Sequence, residues 1–99
     1  MQNIVLLITL ELKDKNLLND WKQMSDGISQ SLKNVDGFIY RDSAIGEDGK
    51  IYCIVKWENA EKQDAFNKIL ESDAFKDEML KFAKIINMET MKSEVLQVI

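Results

Sequence analysis

Phe38-Ile39-Tyr40-Arg41-Asp42-Ser43-Ala44-Ile45-Gly46-Glu47-Asp48-Gly49-Lys50-Ile51-Tyr52-Cys53-Ile54-Val55-Lys56-Trp57 is two strand-length runs on either side of a turn. Both runs are rich in β-branched and aromatic side chains, which suit a pleated, half-buried surface. Asp48-Gly49 between them is a strong hairpin signal, because glycine supplies the positive φ that tight turns need. The hairpin therefore spans Phe38 to Ile45 and Ile51 to Trp57.

Working outward, residues 3–12 are apolar and rich in branched side chains at strand length, and read as a buried central strand. Leu17, Trp21, Met24, Ile28 and Leu32 then recur at helical spacing, with Asn16 placed to cap. Gly27 interrupts this stripe at a cost of about 1 kcal/mol relative to alanine, so it marks a bend or a close approach. Gly37 closes that region. After the hairpin, Asn59 is placed to cap a second helix presenting Ala65, Phe66, Ile69 and Leu70. Ser72 or Asp73 starts a third, presenting Phe75, Met79, Phe82 and Ile86. A last strand runs from near Ile86 to Ile99, with a break expected around Ser93.

The order is β-α-β-β-α-α-β, an α+β chain of the ferredoxin-like plan: one antiparallel sheet with helices on one face. Residues 1–99 are read as a single domain, since a chain of this length has no room for a second core. The first strand is apolar at both parities, so the sheet face away from the helices is apolar too. A soluble monomer should not expose it. Packing two sheets across a two-fold axis covers it, and a homodimer, a dimeric α+β barrel, is the expectation.

Composition removes several function classes. Net charge is −4, with lysines interspersed among acids, which argues against a nucleic-acid partner. There is no histidine, so histidine-dependent triads and the residue that most readily does proton and metal chemistry near neutral pH are absent. No zinc spacing or phosphate loop is present, and no metal site is expected. Cys53 is the one cysteine, which excludes an internal disulfide and fits a reducing cytoplasm. The run Ile4-Val5-Leu6-Leu7-Ile8 is too short to span a bilayer and lacks the basic flank and cleavage site of a signal peptide. A soluble cytoplasmic protein without a membrane partner is expected.

With Asp48-Gly49 as a two-residue loop, Tyr40 lies opposite Trp57, Asp42 opposite Val55, and Ala44 opposite Cys53, all on one sheet face. Arg41, Ser43, Ile45, Tyr52, Ile54 and Lys56 take the other. A one-residue change in the loop exchanges these groupings. The first set offers a pocket that stacks a flat organic molecule on Trp57, flanked by Cys53 and Val55, with Tyr40 and Asp42 as its polar contacts. Alternatively Trp57 and Cys53 are packing, with Tyr40 a core residue whose hydroxyl reaches water. Trp21 reads as core. Met24, Met79, Met88 and Met91 serve equally as adaptable core filler or as walls of an apolar cavity.

The element order, Gly37-Phe38 ahead of the second strand, and the segment from Trp57 to Ser72-Asp73-Ala74-Phe75-Lys76 resemble the antibiotic biosynthesis monooxygenase superfamily of dimeric α+β barrels. The resemblance covers nearly the whole chain in plan and residues 36–82 in detail. It implies one of three things: an oxygenase using no metal or organic cofactor on polyketide-like aromatics, a haem-degrading monooxygenase, or a barrel without assigned activity. The haem-degrading branch carries an Asn, a Trp and a His that fall here on Leu6 or Leu7, Ile69 and Met79, so none matches.

Two functions follow. One is a cofactor-independent monooxygenase acting on a small aromatic or polyketide-like molecule, with Trp57 stacking it, Tyr40 orienting its oxygen and Asp42 as base. The other is a non-catalytic barrel that binds a small apolar metabolite or a partner protein.

Overall fold

The computed structural model describes residues 2–99. Its elements are β1 (Ile4–Leu12), α1 (Leu18–Leu32), β2 (Phe38–Ile45), β3 (Ile51–Trp57), α2 (Ala60–Leu70), α3 (Lys76–Ile85) and β4 (Ile86–Gln97). Single 3-10 turns at Lys15–Leu17 and Asp73–Phe75 lead into α1 and α3. The strands form one antiparallel sheet in the order β2-β3-β1-β4, with the helices on one face. This is the ferredoxin-like α+β plan expected from the sequence.

β1 sits at the centre because it is apolar on both sides. Ile4, Leu6, Ile8 and Leu10 face Trp57, Val55, Cys53 and Ile51 of β3 directly, forming the helix-side surface. Val5, Leu7 and Thr9 pair with Lys56, Ile54 and Tyr52 on the outer surface. The inner set is the more deeply buried, with every second residue of β3 buried from Ile51 to Trp57.

The hairpin register differs by one residue from the two-residue turn. Gly46 N donates to Lys50 O at 2.8 Å and Gly49 N to Gly46 O at 3.0 Å, so the loop is the three residues Glu47-Asp48-Gly49. Gly49 holds φ +86, and the Asp48 carboxylate accepts from Lys50 N. Arg41 now faces Val55, Ser43 faces Cys53, and Asp42 faces Ile54. Tyr40 and Asp42 therefore lie on the outer surface, away from Trp57, Cys53 and Val55. Arg41 and Ser43 take the inner positions instead. Between Phe38 and Tyr40 the ladder slips by one residue. That bulge puts both Phe38 and Arg41 on the inner surface, although three positions separate them.

β4 breaks earlier than expected. Its ladder with β1 slips between Thr9 and Glu11, opposite residues 88–91, and runs without interruption through Ser93. Thr90 closes the gap: its hydroxyl donates to Asn87 O at 2.7 Å and accepts from Glu11 N at 2.9 Å. At the helix starts, Asn59 caps α2 as expected, accepting from Lys62 N at 3.0 Å. The turn before α1 is capped by Asp14, which accepts from the backbone of Asn16, so Asn16 is the capped residue. Ser72 precedes the second turn without a capping bond to the residues that follow.

The core forms two clusters. Leu10, Trp21, Ile51, Cys53 and Ile86 make one. Ile4, Leu32, Val55 and Trp57 make the other. α1 contributes Trp21 and Leu32, one to each cluster. α2 buries only Gln63, and α3 buries no residue fully. Phe66 of α2 packs on the second cluster and Phe82 and Ile85 of α3 on the first, while Ile69, Met79 and Leu80 stay exposed.

Candidate functional site

Between the sheet and the three helices lies a cavity of about 600 Å³. Ordinary packing leaves few voids larger than a water molecule, whereas small-molecule sites run to about 300–1,000 Å³. Its floor is the inner sheet surface, including Leu6, Ile8 and Val55, and its roof is the apolar side of α1, α2 and α3. Phe66, Phe75, Met79 and Phe82 border it at the positions their helical spacing dictates. Gly27 also borders it, and a methyl group there meets no atom within 4 Å. The glycine on α1 thus faces open space.

Trp57 forms one end. It is 2% exposed, edge-on to Phe38 with ring centroids 5.9 Å apart and tilted against Phe66 at 5.4 Å. Its indole N–H has no hydrogen-bond partner among the described residues. Gln63 borders the cavity as well and is 7% exposed. Buried polar groups are normally paired, so the open indole N–H in this wall stands out.

The polar part of the wall is built around Arg41. Its Nη1 donates to Ser25 Oγ at 2.7 Å, Ser29 Oγ at 2.9 Å and Ser25 O at 3.1 Å, while Nη2 approaches Cys53 Sγ at 3.8 Å. Ser43 Oγ lies 3.8 Å from the same sulfur and accepts from Trp21 Nε1 at 3.3 Å. Burial pushes the Cys53 thiol above its ordinary value, outweighing the nearby Arg41 charge and the two hydrogen bonds that lower it. The thiol is therefore protonated at neutral pH and is a poor nucleophile.

Of the residues singled out in the sequence, Trp57, Cys53 and Val55 border the cavity together, while Tyr40 and Asp42 do not. Arg41, Gln63 and Gly27 were not among the site residues. Gly27 was legible as an unexplained helical glycine. Arg41 was hidden by the turn length, and Gln63 by its place among the polar residues of α2. Among the described residues no three His, Cys, Asp or Glu side chains come together to hold a metal ion. No helix among them is long and apolar enough to cross a membrane.

No family model matches the sequence, and no curated protein matches it. Solved structures do. A protein from Nitrosomonas europaea, described as a candidate antibiotic biosynthesis monooxygenase, superposes with a TM-score of 0.80 over 99% of this chain and 91% of its own, at 11% identity. SnoaB, a cofactor-independent oxygenase from Streptomyces nogalater, gives 0.77 over 100% and 95% at 9% identity. A conserved protein from Bacteroides thetaiotaomicron, described as a possible oxidoreductase, gives 0.74 over 98% of each chain at 15% identity. The chain thus has the fold of the antibiotic biosynthesis monooxygenases over its full length, and at these identities the likeness is one of fold.

Proposed function

We propose that the cavity binds a small, flat, largely apolar molecule and that the protein acts on it as a cofactor-independent oxygenase. The observation that carries this is the roof. Apart from Phe66, Phe82 and Ile85, which also reach the core clusters, the apolar stripes of α2 and α3 turn toward about 600 Å³ of space, and Met79 there is 43% exposed. Without an occupant those stripes forgo roughly 1.5–3 kcal/mol for each large side chain that burial stabilises. The likeness to SnoaB supports the choice of reaction class.

Such a reaction asks little of the protein. A substrate acidic at carbon or at a phenolic oxygen loses a proton, and the anion reduces O2 directly. Dry walls prevent solvent from quenching the intermediate. Trp57 and Phe66 supply stacking surfaces at one end of the cavity. With Asp42 and Tyr40 on the outer sheet surface, Glu78 on α3 is the carboxylate that borders the space, and it takes the role of proton acceptor. Because Glu78 lies at an exposed rim, a second reading keeps support: binding without turnover.

Two copies pairing through the outer sheet surface belong to the same proposal, as does a cytoplasmic setting for the unpaired Cys53. Val5, Leu7, Tyr52, Ile54 and Leu96 put apolar side chains on that surface among Asp42, Lys56, Lys92 and Glu94, and Leu96 is 40% exposed.

The test is incubation with an anthrone in air, following O2 uptake alongside quenching of tryptophan fluorescence. One O2 consumed per quinone and water formed supports the oxygenase. Saturable quenching without uptake supports the binder. No quenching at saturating anthrone removes both.

A further inference from the structure

Arg41 makes no ion pair among the described residues. It stands on the edge strand β2, reaches under α1, and borders both the large cavity and a groove of about 390 Å³ between α1 and β2. Among the described residues the one ion pair is Lys62 with Asp36, on the surface; Asp26 and Asp42 border the smaller groove with Arg41, but no carboxylate lies within 4 Å of its guanidinium. Its acceptors are two serine hydroxyls, one carbonyl and one sulfur, all neutral. The sulfur adds no charge, since burial keeps the Cys53 thiol protonated.

The geometry of those bonds is lopsided. Nη1 meets three oxygens, whereas Nη2 has only the distant Cys53 sulfur. A guanidinium presents five N–H donors in a rigid fork matched to the two oxygens of a carboxylate. Here Ser25 and Ser29 hold one tine and leave the other available. Arg41 is only partly buried, so its free tine stays open to an incoming anion, which gains a charge-assisted hydrogen bond there. Ser25, 7% exposed, fixes the head so that little side-chain freedom is lost when an anion arrives.

We infer that the ligand of this cavity is an organic acid, its apolar body lying between sheet and helices and its carboxylate seated on the free side of Arg41. This rests on the cavity being a ligand site and adds the class of ligand. It also makes Arg41 a specificity-determining residue: a neutral analogue of equal shape fills the cavity but leaves the cation unpaired.

Calorimetric titration with naphthalene-2-carboxylate and with its methyl ester tests this. In the native protein at low salt the acid binds at least 10-fold more tightly than the ester. In Arg41→Gln the ratio falls to about one while the ester keeps its affinity. Arg41→Lys, which retains charge but not the fork, gives an intermediate ratio and serves if the glutamine variant does not fold. Equal binding of acid and ester by the native protein overturns the inference and leaves the cavity reading intact. So does an acid preference that survives in Arg41→Gln. Failure of both compounds to bind removes the cavity reading itself, and the inference with it.

Discussion

Arg41 grips Ser25 twice, Nη1 donating to the hydroxyl at 2.7 Å and to the carbonyl at 3.1 Å. The pair joins the edge strand β2 to the middle of α1, where few other contacts cross. Hydrogen bonds to a charged group contribute about 1.5–3 kcal/mol. Ser25→Ala removes one of them and leaves the carbonyl and Ser29 in place. A loss of about 1.5–3 kcal/mol is expected, read as a lower urea midpoint at unchanged slope. An unchanged midpoint means the grip contributes nothing to the fold.

Gly27→Ala should do the opposite. Alanine is better than glycine in a helix by about 0.8–1 kcal/mol. Its methyl group meets nothing within 4 Å, so no clash offsets the gain. For a domain of this size that is a rise in Tm of about 4–8 °C. Because the methyl enters the cavity, affinity for any cavity ligand falls in the same variant. Stabilisation with affinity unchanged means the ligand does not reach this part of α1.

Gly37 is the counter-case. It holds φ +86, a Cβ built on it overlaps the Lys62 side chain, and its carbonyl accepts from Glu58 N at 2.8 Å. Gly37→Ala combines backbone strain with displacement of α2, and a loss of about 1–3 kcal/mol is expected by chemical denaturation. Tolerance of alanine here means that α2 shifts freely over the sheet.

These two glycines show what was legible in advance. Helical stripes such as Phe75, Met79 and Phe82 identify the side that turns inward, and the fold followed from their order. Periodicity does not tell whether an inward side chain touches the sheet, so a pocket beside Trp57, Cys53 and Val55 was legible but its extent and helical roof were not. The site turned on one residue of loop. Asp48-Gly49 suits a two-residue turn, but glycine is equally at home as the third residue of Glu47-Asp48-Gly49, where Gly49 has the required positive φ. That single step moved Arg41 inward and Asp42 outward, and the bulge at Ile39 leaves no mark in composition.

Cys53 gives a pH prediction with a definite sign. Burial raises its folded-state value above the ordinary 9.0, so on the alkaline side the unfolded chain loses its proton first. Stability from this group is complete below about pH 9 and declines as pH rises through the folded-state value. Urea midpoints measured from pH 7 to 10.5 should fall at the alkaline end, and Cys53→Ser should fall less steeply. Native protein should also react with iodoacetamide far more slowly than urea-unfolded protein, because Cys53 is only 4% exposed. Rapid alkylation of the native form contradicts a protonated, enclosed thiol.

Ile54 lies at the middle of the outer sheet surface, between Asp42 of β2 and Leu7 of β1. If two copies pair there, a second carboxylate at this point is buried beside Asp42 and Leu7 in the dimer but reaches water in the monomer. Ile54→Glu should therefore split the assembly while the fold stays intact, since a polar residue on a solvated sheet surface usually changes stability by less than about 0.5 kcal/mol. Light scattering after size exclusion should give twice 11.4 kDa for the native chain and 11.4 kDa for the variant, with matching circular dichroism. A native monomer refutes the pairing. A variant that remains dimeric moves the interface elsewhere, leaving Val5, Leu7 and Leu96 as an apolar surface that this pairing does not cover.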